Sequence, residues 1–425
     1  MNDDTVFALA SGAGRAAIAI VRISGPDSAA VLTAMCGTLP FPRRAVVRAL
    51  RDAEGELLDR AMVLWLPGPK SYTGEDSAEL HVHAGRAVID AVADRLAGLG
   101  LRPAEPGEFT RRAFLNGKLD LVSAEAVHDL VAAETDAQRR QALRQLEGAL
   151  GDLYRDWSDR LRGALARQEA LIDFPDEDLP PEVEADLLAS VHSLRGEIGA
   201  HLDDRHRGEK IREGLCFAIT GAPNVGKSSL INALAQRDVA IVSATPGTTR
   251  DAIETRIVLG GVPITLVDTA GLRDTTDPIE AEGMRRARSR AASADLVLTV
   301  IEAGSPFDAG GLVVANKSDL YPEQRPDVLP VSALTGAGLP ELLARLAAEA
   351  IALTQSSGPP PLTRARHRTA LSAAARWLAD AEDAIEPELR GEAMRLALRA
   401  IGTITGQVGV EDILDSIFRQ FCIGK

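Results

Sequence analysis

The stretch that decides the fold is Gly221-Ala222-Pro223-Asn224-Val225-Gly226-Lys227-Ser228, a match to the phosphate-loop pattern G-x-x-x-x-G-K-[ST]. Ahead of it, apolar Leu215 to Ile219 reads as a buried parallel strand. Behind it, Leu230, Ile231, Ala233 and Leu234 recur at helical spacing. Strand, glycine loop and helix together turn a row of backbone N–H groups, backed by the positive end of the helix dipole, toward an anion. Gly221 and Gly226 let the backbone curl close to phosphate oxygens. Lys227 would reach the β- and γ-phosphates and the Ser228 hydroxyl would ligate Mg²⁺. Asn224, Val225, Gly226 and Ser229 complete the cradle.

Four more motifs follow from this anchor. Ile264 to Val267 reads as a strand ending in Asp268-Thr269-Ala270-Gly271. There Asp268 can hold Mg²⁺ through water and the Gly271 N–H can contact the γ-phosphate. Upstream, Gly247-Thr248-Thr249-Arg250-Asp251 suits a loop ordered by the γ-phosphate, with Thr249 completing the Mg²⁺ shell. Leu312 to Ala315 is a further strand, closed by Asn316-Lys317-Ser318-Asp319. The Asp319 carboxylate would accept two N–H bonds from guanine, and buried it would reject adenine by being left unpaired. Ser332-Ala333-Leu334 offers a backbone N–H to the guanine O6. Each piece alone could be a turn or a cap; the ordered five predict GTP rather than ATP. Where a water-orienting glutamine usually follows Gly271, the chain has apolar Leu272. Hydrolysis then needs another source of positioning and charge: Arg250, Arg273, Glu280, Glu282 or a bound cation. Asn224, a neutral oxygen donor in the loop, suits a monovalent cation.

The 425 residues are enough for two to four domains, and 45% hydrophobic with 25% charged is an ordinary globular balance. No apolar run is long enough to cross a bilayer, and the acidic start Met1-Asn2-Asp3-Asp4 is no secretory signal. Cys36, Cys216 and Cys422 form no CxxC pair, which predicts a reducing, cytoplasmic setting and neither a disulfide frame nor a zinc site. A net charge of -14 argues against a nucleic-acid coat while leaving room for a local basic patch.

The predicted fold class is multidomain α/β plus α. Residues 1–117 read as a mixed, β-rich domain. Ala17 to Ile23 is a strand, Ala45 to Leu50 and Glu56 to Leu66 form a hairpin, Ser77 to His83 is another strand, and Gly85 to Leu96 is a helix. Periodicity alone sends Arg22 and Glu79 to solvent, and leaves His81 and His83 as two histidines on one strand face without a third ligand. Leu143, Leu146, Leu150, Leu153, Trp157, Leu161 and Leu165 predict one long amphipathic helix. Pro180-Pro181 opens another. Helical pattern resumes from Thr363 to Phe421, after the linker Ser356 to Pro361. The α/β unit 213–350 therefore reads as inserted into a discontinuous helical domain of 118–212 and 351–425.

The five motifs, the bracketing helices, the stretch Pro106-Gly107-Glu108-Phe109-Thr110-Arg111-Arg112-Ala113-Phe114-Leu115-Asn116-Gly117-Lys118-Leu119-Asp120 and the terminal Phe421-Cys422-Ile423-Gly424-Lys425 resemble the tRNA modification GTPase family MnmE, also called TrmE, over essentially the whole chain. The resemblance implies a Ras-like GTPase domain and a folate-binding-like N-terminal domain that also dimerises. It implies GTP hydrolysis coupled to carboxymethylaminomethyl addition at the wobble uridine C5 of tRNA, as a homodimer joined with the flavoprotein MnmG in a heterotetramer. It implies a 5-formyl- or methylene-tetrahydrofolate donor held by Arg22, Glu79 and Lys118, which overturns the solvent reading of the first two. Cys422 and Lys425 would lie near the modification centre, Cys422 either as a thiolate or as a small buried residue. It implies K⁺ held by Asn224, Ser243, Thr245 and Thr248, Mg²⁺ by Ser228 and Thr249, and water oriented by Glu280. Between Gly271 and Asn316 the chain is short for the family, as if one helix were trimmed. A competing reading, a GTP-timed switch in ribosome assembly, needs a basic appendage that this acidic chain does not display.

Overall fold

The computed structural model describes residues 4–12, 14, 16–173, 181–236, 254–269, 292–304, 311–321, 328–355, 359–409 and 411–424. The chain divides into two compact units. The first is Met1–His128, Gln145–Gly163 and Leu398–Lys425; the second is Asp129–Arg144 with Ala164–Ala397.

In the first unit, β-branched and aromatic runs build a six-stranded mixed sheet: β1 (Val6–Leu9), β2 (Ile18–Ser24), β3 (Val46–Arg51), β4 (Leu57–Leu66), β5 (Ser77–His83) and β6 (Arg102–Pro103). Their order is β3-β4-β5-β2-β1-β6, antiparallel except for β1 against β6. Alternate residues Val21, Ile23, Val63, Trp65, Ala78, Leu80 and Val82 point to one face. They pack there with Val31, Leu32 and Met35 of α1 (Ser28–Cys36) and with Val92 and Leu96 of α2 (Arg86–Gly98). The opposite face carries the other parity, and Arg22 stands directly across from Glu79 in the β2–β5 register.

Four helices follow: α3 (Glu108–Leu115), α4 (Leu121–Ala132), α5 (Asp136–Leu146) and α6 (Ala149–Asp173). The single helix expected across Leu143 to Leu165 is therefore two, broken at Glu147-Gly148. Gly148 has φ +99, a left-handed conformation that a helix interior cannot contain. Next come α7 (Pro181–Leu202) and α8 (Arg207–Glu213).

The second unit then holds another six-stranded sheet, made of β7 (Leu215–Thr220), β8 (Glu254–Leu259), β9 (Val262–Asp268), β10 (Leu296–Glu302), β11 (Leu312–Asn316) and β12 (Leu329–Pro330). Its order is β12-β11-β10-β7-β9-β8, and only β8 runs antiparallel. Near-continuous apolar strands are what a sheet covered on both faces requires. Its core takes in α9 (Lys227–Ala235) and α10 (Leu339–Thr354) through Leu230, Leu234, Leu342 and Leu346. The chain closes with α11 (Ala365–Asp383), α12 (Pro387–Thr405) and α13 (Glu411–Phe418).

Within the second unit the chain's paths into and out of this sheet are tied by one polar knot. Asp204 accepts hydrogen bonds from the Arg368 guanidinium at 2.6 Å and from the Leu362 N–H at 3.1 Å. Arg212 donates to the Thr363 carbonyl at 2.8 Å, and an added Cβ on Gly208 would lie 2.2 Å from the Leu362 carbonyl oxygen.

Candidate nucleotide site and the Arg22 pocket

The phosphate loop lies at the carboxyl end of β7, where open parallel sheets place their ligands. Two of its glycines are obligatory. Gly221 has φ +143, and a Cβ there would sit 2.1 Å from the Val300 carbonyl oxygen; Gly226 has φ +91, and a Cβ would sit 2.4 Å from Asn316 Nδ2. Asn224 adopts φ +64, a left-handed turn that asparagine tolerates better than most residues. Val225 is buried and plugs the sheet core. Ser229 is exposed at the start of α9.

Lys227 is 4% exposed, and its Nζ donates to the carbonyls of Gly221 (2.9 Å) and Ala222 (2.7 Å). The ammonium is thus held against the loop's own carbonyls. The Ser228 hydroxyl donates to Asp268 Oδ2 at 2.5 Å, so a hydroxyl and a carboxylate meet at the loop's mouth. Two oxygen donors of this kind fit a hard divalent cation such as Mg²⁺. Thr269 anchors the following turn through its Oγ1 to the Ile219 carbonyl at 2.9 Å.

The base-recognition loops are cross-braced. Asn316, 2% exposed, donates from Nδ2 to the Val225 carbonyl at 2.8 Å and accepts the Ala333 N–H on Oδ1 at 3.1 Å. One side chain thereby fixes the phosphate loop against the Ser332-Ala333 turn. The Ser332 hydroxyl donates to Asp319 Oδ1 at 2.5 Å and accepts the Thr335 N–H at 3.1 Å. Asp319 itself is exposed. Its expected burial is corrected: it stands on the turn beyond the end of β11, with no element over it among the described residues. Lys317, at φ +63, pairs with Glu302 at 3.0 Å, and the Tyr321 hydroxyl donates to the same Glu302 oxygen at 3.2 Å. Sequence reasoning missed Glu302 and Tyr321; the acid closing β10 beside the Asn-Lys-Ser-Asp motif was the available signal. Ser243, Thr245, Thr248, Thr249, Gly271 and Glu280 lie outside the described residues, as does most of the segment read as shortened between Gly271 and Asn316.

In the first unit, Arg22 and Glu79 do not face solvent. They pair at 3.0 Å with about a quarter and a fifth of their side-chain surfaces exposed. The Arg22 guanidinium lies 5.6 Å from the Tyr72 ring centroid and 5.8 Å from that of Phe109, within cation–π range. Strand alternation could not reveal these two rings, because they come from a loop and from α3. Burial pushes the Tyr72 phenol above its ordinary range, and its hydroxyl meets Thr110 Oγ1 at 2.9 Å. His81 bonds the other Glu79 oxygen at 3.3 Å, and His83 pairs with Asp59 at 2.8 Å. Lys118 donates to the Pro69 carbonyl at 3.0 Å.

A buried network braces this pocket. Arg112 bonds Glu75 (3.1 Å), Glu108 (2.9 Å) and Asp4 (2.8 Å), and Glu75 also accepts the Ser24 hydroxyl at 2.8 Å. The C-terminal segment packs in the same unit. The Gly107 N–H reaches the Cys422 carbonyl at 3.4 Å, and Gly424, at φ +95, lets its backbone approach Leu9, whose carbonyl oxygen would be 2.3 Å from an added Cβ. The Cys422 side chain is exposed, which corrects the reading of a small buried residue. Its neighbour Phe421 takes the buried place against His128 and Phe418. Lys425 lies outside the described residues.

A strand, glycine loop and helix with a lysine beneath, a serine–aspartate pair at the mouth and an asparagine-braced base loop define a P-loop GTPase, an enzyme that hydrolyses GTP. Residues 5–118 match the family described as GTP-binding protein TrmE N-terminus, and residues 121–422 match the one described as MnmE helical domain. The chain belongs to the MnmE family of tRNA modification GTPases. It is 60% identical over 428 residues to the tRNA modification GTPase MnmE of Gluconacetobacter diazotrophicus, covering 99% of this chain and 98% of that one. With the same protein of Granulibacter bethesdensis it shares 57% over 440 residues, covering all of both chains. Among solved structures, the G-domain of FeoB from Methanococcus jannaschii covers 32% of this chain and 97% of its own at 25% identity, with a TM-score of 0.23, too low to bear on the fold.

Proposed function

We propose that this chain couples K⁺-dependent GTP hydrolysis to carboxymethylaminomethyl addition at the wobble uridine C5 of tRNA, in the cytoplasm, as a homodimer acting with the flavoprotein MnmG. The observation that carries the nucleotide half is the Asn316 brace between Val225 and Ala333: it sets the distance between phosphate and base recognition before a ligand arrives, so less ordering is needed on binding. The tRNA half follows the relatives' names. In this reading 213–350 is the GTPase domain, 118–212 with 351–425 the discontinuous helical domain, and 1–117 a folate-binding-like and dimerisation domain.

Lys227 places a positive charge under the phosphates, Ser228 and Asp268 with Thr249 hold Mg²⁺, and Asp319 takes the guanine edge. Glu280 orients water. Asn224, Ser243, Thr245 and Thr248 hold K⁺, which when bound supplies positive charge beside the transferring phosphate. Arg22, Glu79 and Lys118 hold a formyl- or methylene-tetrahydrofolate. The fit is chemical: a half-buried acid and base flanked by Tyr72 and Phe109 suit a planar heterocycle with donor and acceptor edges. Cys422, with Lys425, stands near the modification centre.

The test compares GTP turnover of the full-length protein in KCl and in NaCl of equal ionic strength. At least about a tenfold advantage for KCl is expected, since one missing charge-stabilising group costs about 10²–10³ in rate; equal rates would remove the cation. Unmodified wobble uridines in a strain lacking the gene support the tRNA half, and normal ones overturn it.

A further inference from the structure

We infer that the β3 edge of the first unit is a docking surface for the tRNA phosphate backbone, an inference that rests on tRNA being the substrate as proposed above. The run Phe41-Pro42-Arg43-Arg44-Ala45-Val46-Val47-Arg48-Ala49-Leu50-Arg51 carries four arginines and no acid, in a chain of net charge -14. β3 is the terminal strand of its sheet, so one side of its backbone pairs with no neighbouring strand.

Several arginines elsewhere in the unit are neutralised, while Arg95, Arg399 and Arg419 share with this edge the lack of an ion pair among the described residues. Arg22, Arg102, Arg112 and Arg155 each bond a carboxylate at 3.1 Å or less. Among the described residues, Arg44, Arg51 and Arg60, the last on the adjoining β4, form no ion pair, and all three are exposed. The Arg44 guanidinium lies 6.0 Å from the Phe41 ring, and Arg51 donates only to the Gly55 carbonyl at 2.7 Å. Four acids, Asp52, Glu54, Glu56 and Asp59, lie between Arg51 and Arg60 in the same hairpin, yet none forms an ion pair with Arg44, Arg51 or Arg60 among the described residues. Asp59 is held by His83 at 2.8 Å, Asp52 accepts the Glu56 N–H at 2.7 Å, and Glu54 sits in the turn beyond the strand.

Arg43, exposed and without an ion pair among the described residues, donates to the Lys70 carbonyl at 2.7 Å much as Arg51 does to Gly55, while Arg48 is excluded from the surface: it lies on the helix-facing side, where its charge opposes the rise that burial imposes on the Cys36 thiol. Phe41 is 76% exposed, large for an aromatic with no packing duty. Unpaired arginines beside an open ring are what a nucleic acid with accessible bases recruits: cations for phosphate, and a π-face for an unstacked base. From Arg44 to Arg51 the extended chain spans roughly 23 Å, enough for several successive phosphates.

The experiment titrates full-length protein with unfractionated tRNA over a salt series. Arg44→Gln/Arg51→Gln/Arg60→Gln is expected to lower affinity at low salt at least about tenfold. It should also flatten the slope of log K against log salt by about two to three, with GTP turnover and melting temperature unchanged. The matching triple lysine variant is expected to keep the slope. Phe41→Ala is expected to lose at least about fivefold in affinity with the slope intact. Wild-type protein without tRNA affinity at any salt overturns the substrate reading and this surface with it. Wild-type affinity that the glutamine variant retains, slope included, overturns the surface alone. A glutamine variant that turns monomeric while keeping tRNA assigns the edge to a second copy of the chain, and one that loses only binding to poly-glutamate assigns it to an acidic protein; each overturns the proposal.

Discussion

At the scale of the residue, Asn316 shows how one amide can serve two loops. Its partners stand 91 and 17 residues away in sequence. Asn316→Ala leaves the buried Val225 carbonyl and the Ala333 N–H without their partner, at about 1–3 kcal/mol for each buried group. We expect GTP affinity, measured with a fluorescent nucleotide, to fall at least about tenfold, and unchanged affinity would reduce Asn316 to a turn residue. Asp319 makes a different prediction. Its carboxylate accepts from Ser332 and projects outward, free to take two N–H donors. Asp319→Asn turns one acceptor into a donor, so preference should move from GTP to XTP by about 10²-fold or more in the ratio of binding constants. The motif Asn316 to Asp319 was legible because its residue types are set by guanine chemistry. The Asn316 brace was not, because it exists only once β7 and β11 lie in one sheet with β10 between them.

At the scale of the element, strands and hairpin fell where alternation placed them: β5 covers Ser77–His83 and β4 ends at Leu66. The helix across Leu143 to Leu165 did not. Spacings of three and four persist through the break because Gly148 interrupts the backbone without disturbing the apolar count. Gly148→Ala forces a Cβ into left-handed geometry, with Asp152 Oδ2 3.2 Å away. A cost of about 1–2 kcal/mol follows, read as a melting temperature lower by a few degrees. A variant as stable as the parent would show that the break can straighten. Arg22 and Glu79 teach the converse. Periodicity sent them to solvent; they do lie on the sheet face away from the helices, but Tyr72 and Phe109 pack against Arg22 on that face, so the side chains are half-buried.

At the scale of the whole molecule, acid should weaken the two units in different pH windows. His201 in α7 is 6% exposed, and burial, with Arg368 and His367 nearby and only Asp204 opposing, pushes its pKa down from 6.5 to about 4. The unfolded chain then takes up a proton first. Stability from neutral His201 is complete above pH 6.5 and is lost as pH falls toward about 4, by up to about 3 kcal/mol. Hydrogen exchange of α7 amides should quicken across that window, and His201→Gln should abolish the dependence; a slope that persists would clear His201. In the first unit, burial alone would raise the Glu108 carboxyl, but bonds from Arg102 and Arg112 hold it below its ordinary 4.5. Its contribution is lost only as pH falls below that value, read at α3. By itself, the order of residues determined that this chain cradles a phosphate, chooses guanine and alternates strand with helix around that cradle, because those choices rest on local backbone freedom and on residue chemistry at fixed spacing. Only the tertiary structure decided what Arg22 pairs with, where the long helix breaks, which amide joins the two recognition loops and which arginines stand without a carboxylate. Each of these depends on groups far apart in sequence being brought within a few ångströms, and no local pattern encodes that distance.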